Sequence, residues 1–281
     1  TLDISVNKDR ALVRSGKSRI TLTTLPATEV PVVDKIKSAK QNTLPQNRLN
    51  VLIERTAFSM AQQDVRYYLN GLMLEPAKGI LRAVATDGHR LAMCQIEADT
   101  GDSAGEQVIV PRKGVQELHR LLEDNDEPVQ IEIGSNHIRI TTSELRFTSK
   151  LIDGRFPDYT RVIPKNADKQ LLVNRDLLRQ ALTRTSILSN EKYRGIRLDV
   201  SENNIKIQAH NPEQEEAVEE IDATYNEEGL VVGFNVTYIL DVLNVLDSLD
   251  VAVSLSDANS SALINQPGMD DCRYVVMPMR L

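Results

Sequence analysis

The segment Leu81-Arg-Ala-Val-Ala-Thr-Asp87 and the segment Ile205-Lys-Ile-Gln-Ala-His-Asn211 carry the same apolar and polar pattern 124 residues apart. Outward from them, Gly71 matches Gly195 at the same offset. Val108-Ile-Val-Pro-Arg-Lys-Gly-Val-Gln-Glu-Leu118 matches Leu230-Val-Val-Gly-Phe-Asn-Val-Thr-Tyr-Ile-Leu240 at 122, and Val129, Ile131 and Ile133 match Val251, Val253 and Leu255, again at 122. Matches in constant order at a nearly constant offset mark a repeated domain, and a repeat of this length dictates the architecture. Leu25 and Pro31 stand six apart, as do Leu151 and Pro157 at an offset of 126, so a partial copy precedes the two full ones. The expected organisation is 1–39 as the end of a first copy, 40–168 as a middle copy and 169–281 as a last copy. The opening Thr1 is read as the start of a trimmed or partial chain.

Both full copies present the same elements in the same order. Leu49, Leu52, Ile53, Thr56, Ala57 and Met60 fall on one helical face, as do Leu178, Ala181, Leu182 and Thr185. A second helix follows in each, marked by Val115, Leu118, Leu121 and Leu122 and by Val236, Ile239, Leu240 and Leu243. Alternating stretches such as Val129-Gln-Ile-Glu-Ile133 and His137-Ile-Arg-Ile-Thr141 flank Gly134-Ser-Asn136, a hairpin signature. Two helices with many short strands per copy give an α+β class, one helical layer on antiparallel sheet.

The 281 residues are ample for two domains and a fraction, and no stretch approaches the roughly 18 apolar residues of a membrane span. The net charge of −7 conceals an asymmetry: residues 201–281 hold 3 Lys/Arg against 15 Asp/Glu, leaving 30 against 25 for residues 1–200. Arg48 and Arg55, then Arg112, Lys113 and Arg120, then Arg175, Arg179 and Arg184 place cations off the apolar stripes of three helices. Gathered cations can hold a polyanion whatever the average charge, since exposed charges beyond about 10 Å are screened from one another. The acidic run from Glu213 to Glu220 reads as a solvated strand or loop.

Candidate chemistry is thin. Gly16-Lys17-Ser18 has Ala11 where a phosphate loop needs glycine and lies between alternating segments, so it is a hairpin turn. Asp87 and His89 suggest a base and its orienter, yet Asp87-Gly88 is foremost a turn. His89, His119, His137 and His210 show no metal-ligand spacing. Cys94 and Cys272 are too few for a disulfide framework and are read as small buried fillers, in keeping with a reducing, cytoplasmic setting. No catalytic residue, metal or cofactor is expected. The terminal Tyr274-Val-Val-Met-Pro-Met-Arg-Leu281 ends the chain on apolar residues. Tyr274 to Val276 read as a last core strand, and Met277, Pro278, Met279 and Leu281 as part of a peptide groove, since Met suits surfaces that accept varied apolar partners.

Gln63-Asp-Val-Arg-Tyr-Tyr-Leu-Asn-Gly71, Ala85-Thr-Asp-Gly-His-Arg-Leu-Ala92, Val110-Pro-Arg-Lys-Gly-Val115, Asp153-Gly-Arg-Phe-Pro-Asp-Tyr159, Leu188-Ser-Asn-Glu-Lys-Tyr-Arg-Gly195, Asn211-Pro-Glu-Gln-Glu-Glu216 and the last eight residues resemble the bacterial DNA sliding clamps, the beta subunits of DNA polymerase III. The resemblance covers the whole chain except that most of a first domain is lacking. It implies the DNA-clamp fold, repeated domains joined head to tail into a homodimeric ring, with helices around duplex DNA and sheets outside. It implies a non-enzymatic processivity factor, nucleoid-associated in the cytoplasm and without membrane contact. DNA contact would fall to Gln63, Tyr67, Tyr68, Arg112 and Lys113, with Arg14, Lys17 and Arg19 of the partial copy. Sequence-independent sliding suits such weak phosphate contacts.

The same resemblance places a partner groove between the two full copies. Arg66, Leu69, Thr86, Gly88, His89, Arg90, Leu91, Pro157, Arg161 and Val162 would form one side. Tyr193, Asn235, Tyr238, Ser261, Val275, Met277, Pro278, Met279, Arg280 and Leu281 would form the other, with Asn259 at a position that is usually apolar. The polymerase III catalytic subunit, the clamp loader, other polymerases and repair proteins would compete for it through linear motifs. Ring closure would set Ile20 and Leu22 against Ile187 and Leu188 of a second copy. The alternative is a truncated form or adaptor that binds partner peptides without closing a ring. A hydrolytic Asp87/His89 pair is a third reading, which turnover abolished by His89→Ala would revive.

Overall fold

A computed structural model describes residues 1–30, 40–100, 106–165 and 167–280. The chain divides into two compact units, Thr1–Lys35 and Ile36–Leu281. The first is a three-stranded antiparallel meander of β1 (Asp3–Asn7), β2 (Arg10–Ser15) and β3 (Ser18–Thr23), in the order β1-β2-β3. Gly16 turns the second hairpin at φ 54°, a left-handed conformation glycine adopts without steric cost, so Gly16-Lys17-Ser18 is a turn. Three short strands shield little: Ala11 is buried, while Ile4, Val6, Ile20 and Leu22 stand exposed.

The second unit runs through one element order twice. First come β4 (Lys40–Pro45), α1 (Gln46–Ala57), β5 (Gly71–Ala77), β6 (Ile80–Thr86), β7 (Arg90–Glu97), β8 (Val108–Pro111), α2 (Arg112–Leu121), β9 (Pro128–Ile133), β10 (His137–Thr141) and β11 (Arg146–Lys150). Then come β12 (Lys169–Asn174), α3 (Arg175–Thr185), β13 (Gly195–Ser201), β14 (Asn204–His210), β15 (Glu216–Asp222), β16 (Leu230–Asn235), α4 (Val236–Val245), β17 (Asp250–Leu255), β18 (Ala262–Asn265) and β19 (Cys272–Val276). The α+β reading holds. One offset is corrected: Gly71 pairs with Pro111 and Gly195 with Asn235, so the strand leading into the second helix aligns at 124, not 122.

Sheets β11-β10-β9-β4 and β15-β14-β13-β16 belong to single copies, whereas β12-β17-β18-β19-β7-β6-β5-β8 is continuous across both. Its seam is the antiparallel pair β19 and β7, in register from Cys272 opposite Cys94 to Val276 opposite Arg90. Helix α1 packs on α2 and on α4, and α3 packs on α4.

Around this seam the sheet is covered on both faces, and the strands show it. Leu72, Leu74, Leu81, Ala83, Ala85, Ala92, Cys94, Tyr274 and Val276 enter the helix-side core, while Met73, Val84, Leu91, Met93 and Val275 form a second cluster with Ile109, Phe156 and Tyr159. Successive side chains of a strand point to opposite faces, so a strand buried on both reads as an unbroken apolar run, as Gly71-Leu-Met-Leu74 does. The second cover is the link after β11, which carries Phe156 and Tyr159.

Three sequence expectations are corrected. Met60 is buried, but α1 ends at Ala57, so Met60 reaches the core from the following turn. Leu121 is 43% exposed, whereas Leu122 is buried; Leu122 leaves the helix with extended backbone, φ −74° and ψ 140°, which swings it inward. Cys94 and Cys272 are both buried, as expected, but as a disulfide rather than separate fillers. Opposite positions on neighbouring strands bring them together despite a separation of 178 residues.

Candidate partner-binding site

Where β7 meets β19, the second cluster leaves a cavity of about 190 Å³ open to the surface. Its lining includes Leu69, Leu91 and Val275 beside Pro157, Val162 and Met277, with Arg66, Thr86, Gly88, His89 and Asp158 among its polar contributors. This is smaller than the roughly 300–1,000 Å³ of sites that enclose a drug-sized ligand. It is too small to enclose a whole drug-sized molecule.

The turn between β6 and β7 is tied down by its own side chains. Asp87 Oδ1 accepts hydrogen bonds from the backbone amides of His89 and Arg90 at 2.9 and 3.0 Å, and Thr86 Oγ1 accepts from the Gly88 amide at 3.1 Å. The Asp87 carboxylate is thus occupied in an Asx-type turn, which removes the geometric basis for an Asp–His pair. Gly88 has φ 89°, and a Cβ there would lie 3.0 Å from the Arg66 guanidinium. Arg66 reaches that place through a fork onto Asp64: Nε to Oδ1 at 3.0 Å and Nη2 to Oδ2 at 2.8 Å. Hydrogen bonds from the Arg66 side chain and amide hold the Asp64 carboxyl at a pKa of about 2.

Arg90 lies within the cavity lining, but its guanidinium is engaged at the joint. Nε pairs with Asp87 at 3.1 Å, Nη1 with Asp241 at 2.5 Å, and Nη2 donates to the Phe58 carbonyl at 2.8 Å. It also lies 4.5 Å from the Tyr238 ring centroid, a cation–π distance. Asp87 and Phe58 come from one copy and Asp241 and Tyr238 from the other, so Arg90 is a positioning residue between them. Burial raises the Tyr238 pKa, and the neighbouring Asp87 carboxylate adds to the effect.

The link wall is held in a comparable way. Tyr159 Oη donates to Glu75 at 2.9 Å and accepts from Arg82 Nη1 at 2.9 Å. Burial pushes the Glu75 carboxyl up, but hydrogen bonds from Gln107, Tyr159 and Arg82 outweigh it and leave the group below its ordinary value. The tail supplies the opposite wall: the Met277 amide donates to the His89 carbonyl at 2.9 Å, and the Met279 amide to the Gly233 carbonyl at 2.8 Å.

A second, wider cavity of about 630 Å³ is lined by Tyr193, Met279 and Arg280 together with Gln208, His210 and Glu216. Of the expected groove residues, Arg66, Leu69, Thr86, Gly88, His89, Arg90, Leu91, Pro157, Val162, Val275 and Met277 converge on the first cavity, and Tyr193, Met279 and Arg280 on the second. Arg161, Asn235, Tyr238, Ser261 and Pro278 line neither. Asn235 instead caps α4, accepting from the Thr237 amide at 2.9 Å, and Arg161 pairs with Asp158. Leu281 and Pro31 lie outside the described residues. Tyr68, Asp158 and Tyr159 join the first cavity without having been expected there. The motif Asp153 to Tyr159 held the signal for the last two, and Tyr68 was expected at DNA.

The other expected contacts are spread over the surface. Gln63, Tyr67 and Lys113 are exposed, whereas Arg112 Nη1 donates to the Met60 carbonyl. Arg14, Lys17 and Arg19 lie on the separate N-terminal meander. Ile187 is 74% exposed and Leu188 half-buried. Among the described residues no group of three His, Cys, Asp or Glu side chains is placed to hold a metal ion, and no helix is long and apolar enough to cross a membrane.

The family model of the DNA polymerase III beta subunit central domain matches residues 43–158, and that of its C-terminal domain matches residues 160–280. The beta sliding clamp of Pseudomonas putida is 56% identical over 280 residues, covering 100% of this chain and 76% of the relative, and that of Escherichia coli is 54% identical over 279. The crystal structure of the Pseudomonas aeruginosa subunit beta superposes with a TM-score of 0.95 at 55% identity, and a second, bound to griselimycin, with 0.93 at 56%; each comparison covers 100% of this chain and 76% of that one. Family models over most of the chain and identities above half show that it belongs to the bacterial beta sliding clamps, the processivity factors of DNA polymerase III.

Proposed function

We propose that this chain tethers replication and repair proteins to duplex DNA by accepting an apolar peptide motif in the cavity at the β7–β19 joint, while a ring of two copies encircles the DNA. The carrying observation is the cavity itself: Leu69, Leu91, Val275 and Met277 converge at a covalently continuous, two-copy joint whose polar groups are already engaged with one another. An apolar anchor there displaces water without leaving the Asp64–Arg66 or Arg90–Asp241 pairs unsatisfied. That a Pseudomonas aeruginosa clamp was solved with griselimycin bound agrees with a ligand-accepting surface in this family.

The ring reading rests on the internal symmetry. Strand β19, the last of its copy, pairs with β7 of the other. The counterpart of β7 is β15, and β3 stands where β11 and β19 stand, at the end of its copy. Both β3 and β15 are sheet edges, so the same joint repeated between molecules sets β3 of one on β15 of another. Their charges are complementary: Arg19 on β3 and Arg14 and Lys17 beside it, Glu216, Glu220 and Asp222 on β15.

The test of the groove is a titration with a polymerase C-terminal peptide. Met277→Ala is expected to weaken binding about tenfold or more, since buried apolar anchors carry most of such an interface, with the thermal midpoint unchanged because Met277 is 41% exposed. Equal affinity for the two proteins refutes the placement.

A further inference from the structure

We propose that Cys94 and Cys272 form a reversible covalent lock across the joint between the two copies, and that Cys272 is the sulfur through which small carboxylate-bearing thiols and their disulfides set it. The cysteines face each other in the β7–β19 register with Cα atoms 4.1 Å apart. The next pair is hydrogen-bonded, the Gln95 amide donating to the Asp271 carbonyl at 2.9 Å, so the cysteines occupy a non-hydrogen-bonded pair, where antiparallel side chains come closest. The two sulfurs are unequal in access. A cavity of about 410 Å³ opens onto Cys272 and not Cys94, with Arg48, Arg55, Gln95 and Asp271 in its wall.

The chemistry of that cavity suits exchange. Arg55 Nη1 lies 3.9 Å from Cys272 Sγ, and a cation beside a thiol favours the nucleophilic thiolate. Arg55 keeps Asp247 as its partner through Nη2 at 2.5 Å, and the exposed Arg48 adds a second guanidinium for a small thiol's carboxylate to a wall that also carries Glu97 and Asp271. In the oxidising direction the Cys272 thiolate attacks one sulfur of the small disulfide, forming a mixed disulfide and releasing one small thiolate. Cys94 then attacks Sγ of Cys272, the internal bond forms, the second small thiol leaves, and the Cys94 proton passes to it. The two protein thiols are oxidised and one small disulfide is reduced to two thiols; reduction runs the same steps backwards. The closed bond joins residues 178 apart, and the strands it joins also frame the apolar cavity at their Arg90–Val276 end.

The test uses the full chain, reduced and then mixed with oxidised glutathione, with acid-quenched intact mass and thiol counts over time. The wild type is expected to pass through one glutathionyl adduct to a species lacking two thiols, and its thermal midpoint to exceed that of the reduced form by about 5–10 °C. Cys94→Ser should retain a single adduct on Cys272, whereas Cys272→Ser should be modified at least tenfold more slowly, and Arg55→Gln should slow the adduct severalfold. Two titratable thiols persisting in the folded wild type under oxidised glutathione overturn the proposal, and need no variant to be seen. So does equal modification of the two serine variants, which would remove the gatekeeping role of Cys272.

Discussion

At the residue scale, the polar groups around the cavity are engaged with one another. Asp64 is the sharpest case, since its carboxyl is held at about 2 against an ordinary 3.8 by Arg66, with His89 adding a weak attraction. A depressed folded-state pKa contributes stability that is present above about 3.8 and lost as pH falls from there towards 2. A carboxyl-carbon NMR titration should place the Asp64 midpoint near 2, and in Arg66→Ala it should move back towards 3.8. A wild-type midpoint at the ordinary value would mean that Arg66 does not hold the carboxylate in solution. Tyr159→Phe tests the opposite wall. Loss of the hydroxyl leaves Glu75 and Arg82 short of a partner in a half-buried place, at an expected cost of about 1–3 kcal/mol in urea unfolding.

At the element scale, helix phase decides which leucines matter. Leu118 is buried on α2 and Leu121, one turn on, is not, although their spacing alone puts both on the apolar stripe. Leu118→Ala should cost about 2–5 kcal/mol and Leu121→Ala less than about 0.5 kcal/mol, compared by denaturant unfolding; similar losses would mean that α2 extends beyond Leu121. At the start of α3, Asn174 Oδ1 accepts from the Leu177 amide at 3.0 Å, and Asn174→Ala should cost about 1 kcal/mol. The helical exteriors are less open than their composition suggests. Arg184 is forked onto Glu219 of β15, and Arg175 is committed to the Leu246 carbonyl and Asp176. Arg48 and Lys113 are exposed, and are the better candidates for phosphate contact. Sequence counted these cations correctly, but their partners lie on other elements.

At the scale of the whole molecule, small-angle scattering with absolute mass across a concentration series decides ring closure. Twice the 31.4 kDa of one chain with a hollow profile is the expected result. A compact single-chain mass would leave the proposed peptide groove and make the chain an adaptor. Introducing Asp at Ile20 should shift the equilibrium towards single chains, because a buried unpaired charge on an edge strand opposes pairing. Binding to duplex DNA should weaken steeply with salt and show no sequence preference, as expected for phosphate contacts alone.

The repeat, the alternating strands, the four amphipathic helices and the Gly134-Ser-Asn136 hairpin were legible in the chain alone, because each is a periodicity over neighbouring residues. Leu69, His89, Leu91 and Met277, expected together from the motifs that carry the family resemblance, line one cavity in the structure. The pairing of Cys94 with Cys272, the engagement of Arg90 by both copies, and the turning of Leu122 rather than Leu121 into the core were decided by the tertiary structure. So was the double cover that makes β5 an unbroken apolar run. The cysteine pairing, the engagement of Arg90 and the double cover depend on which distant strand or link lies alongside, and the β7–β19 register joins residues 178 apart, a relation that local pattern does not encode; Leu122 turns inward because the backbone becomes extended where α2 ends.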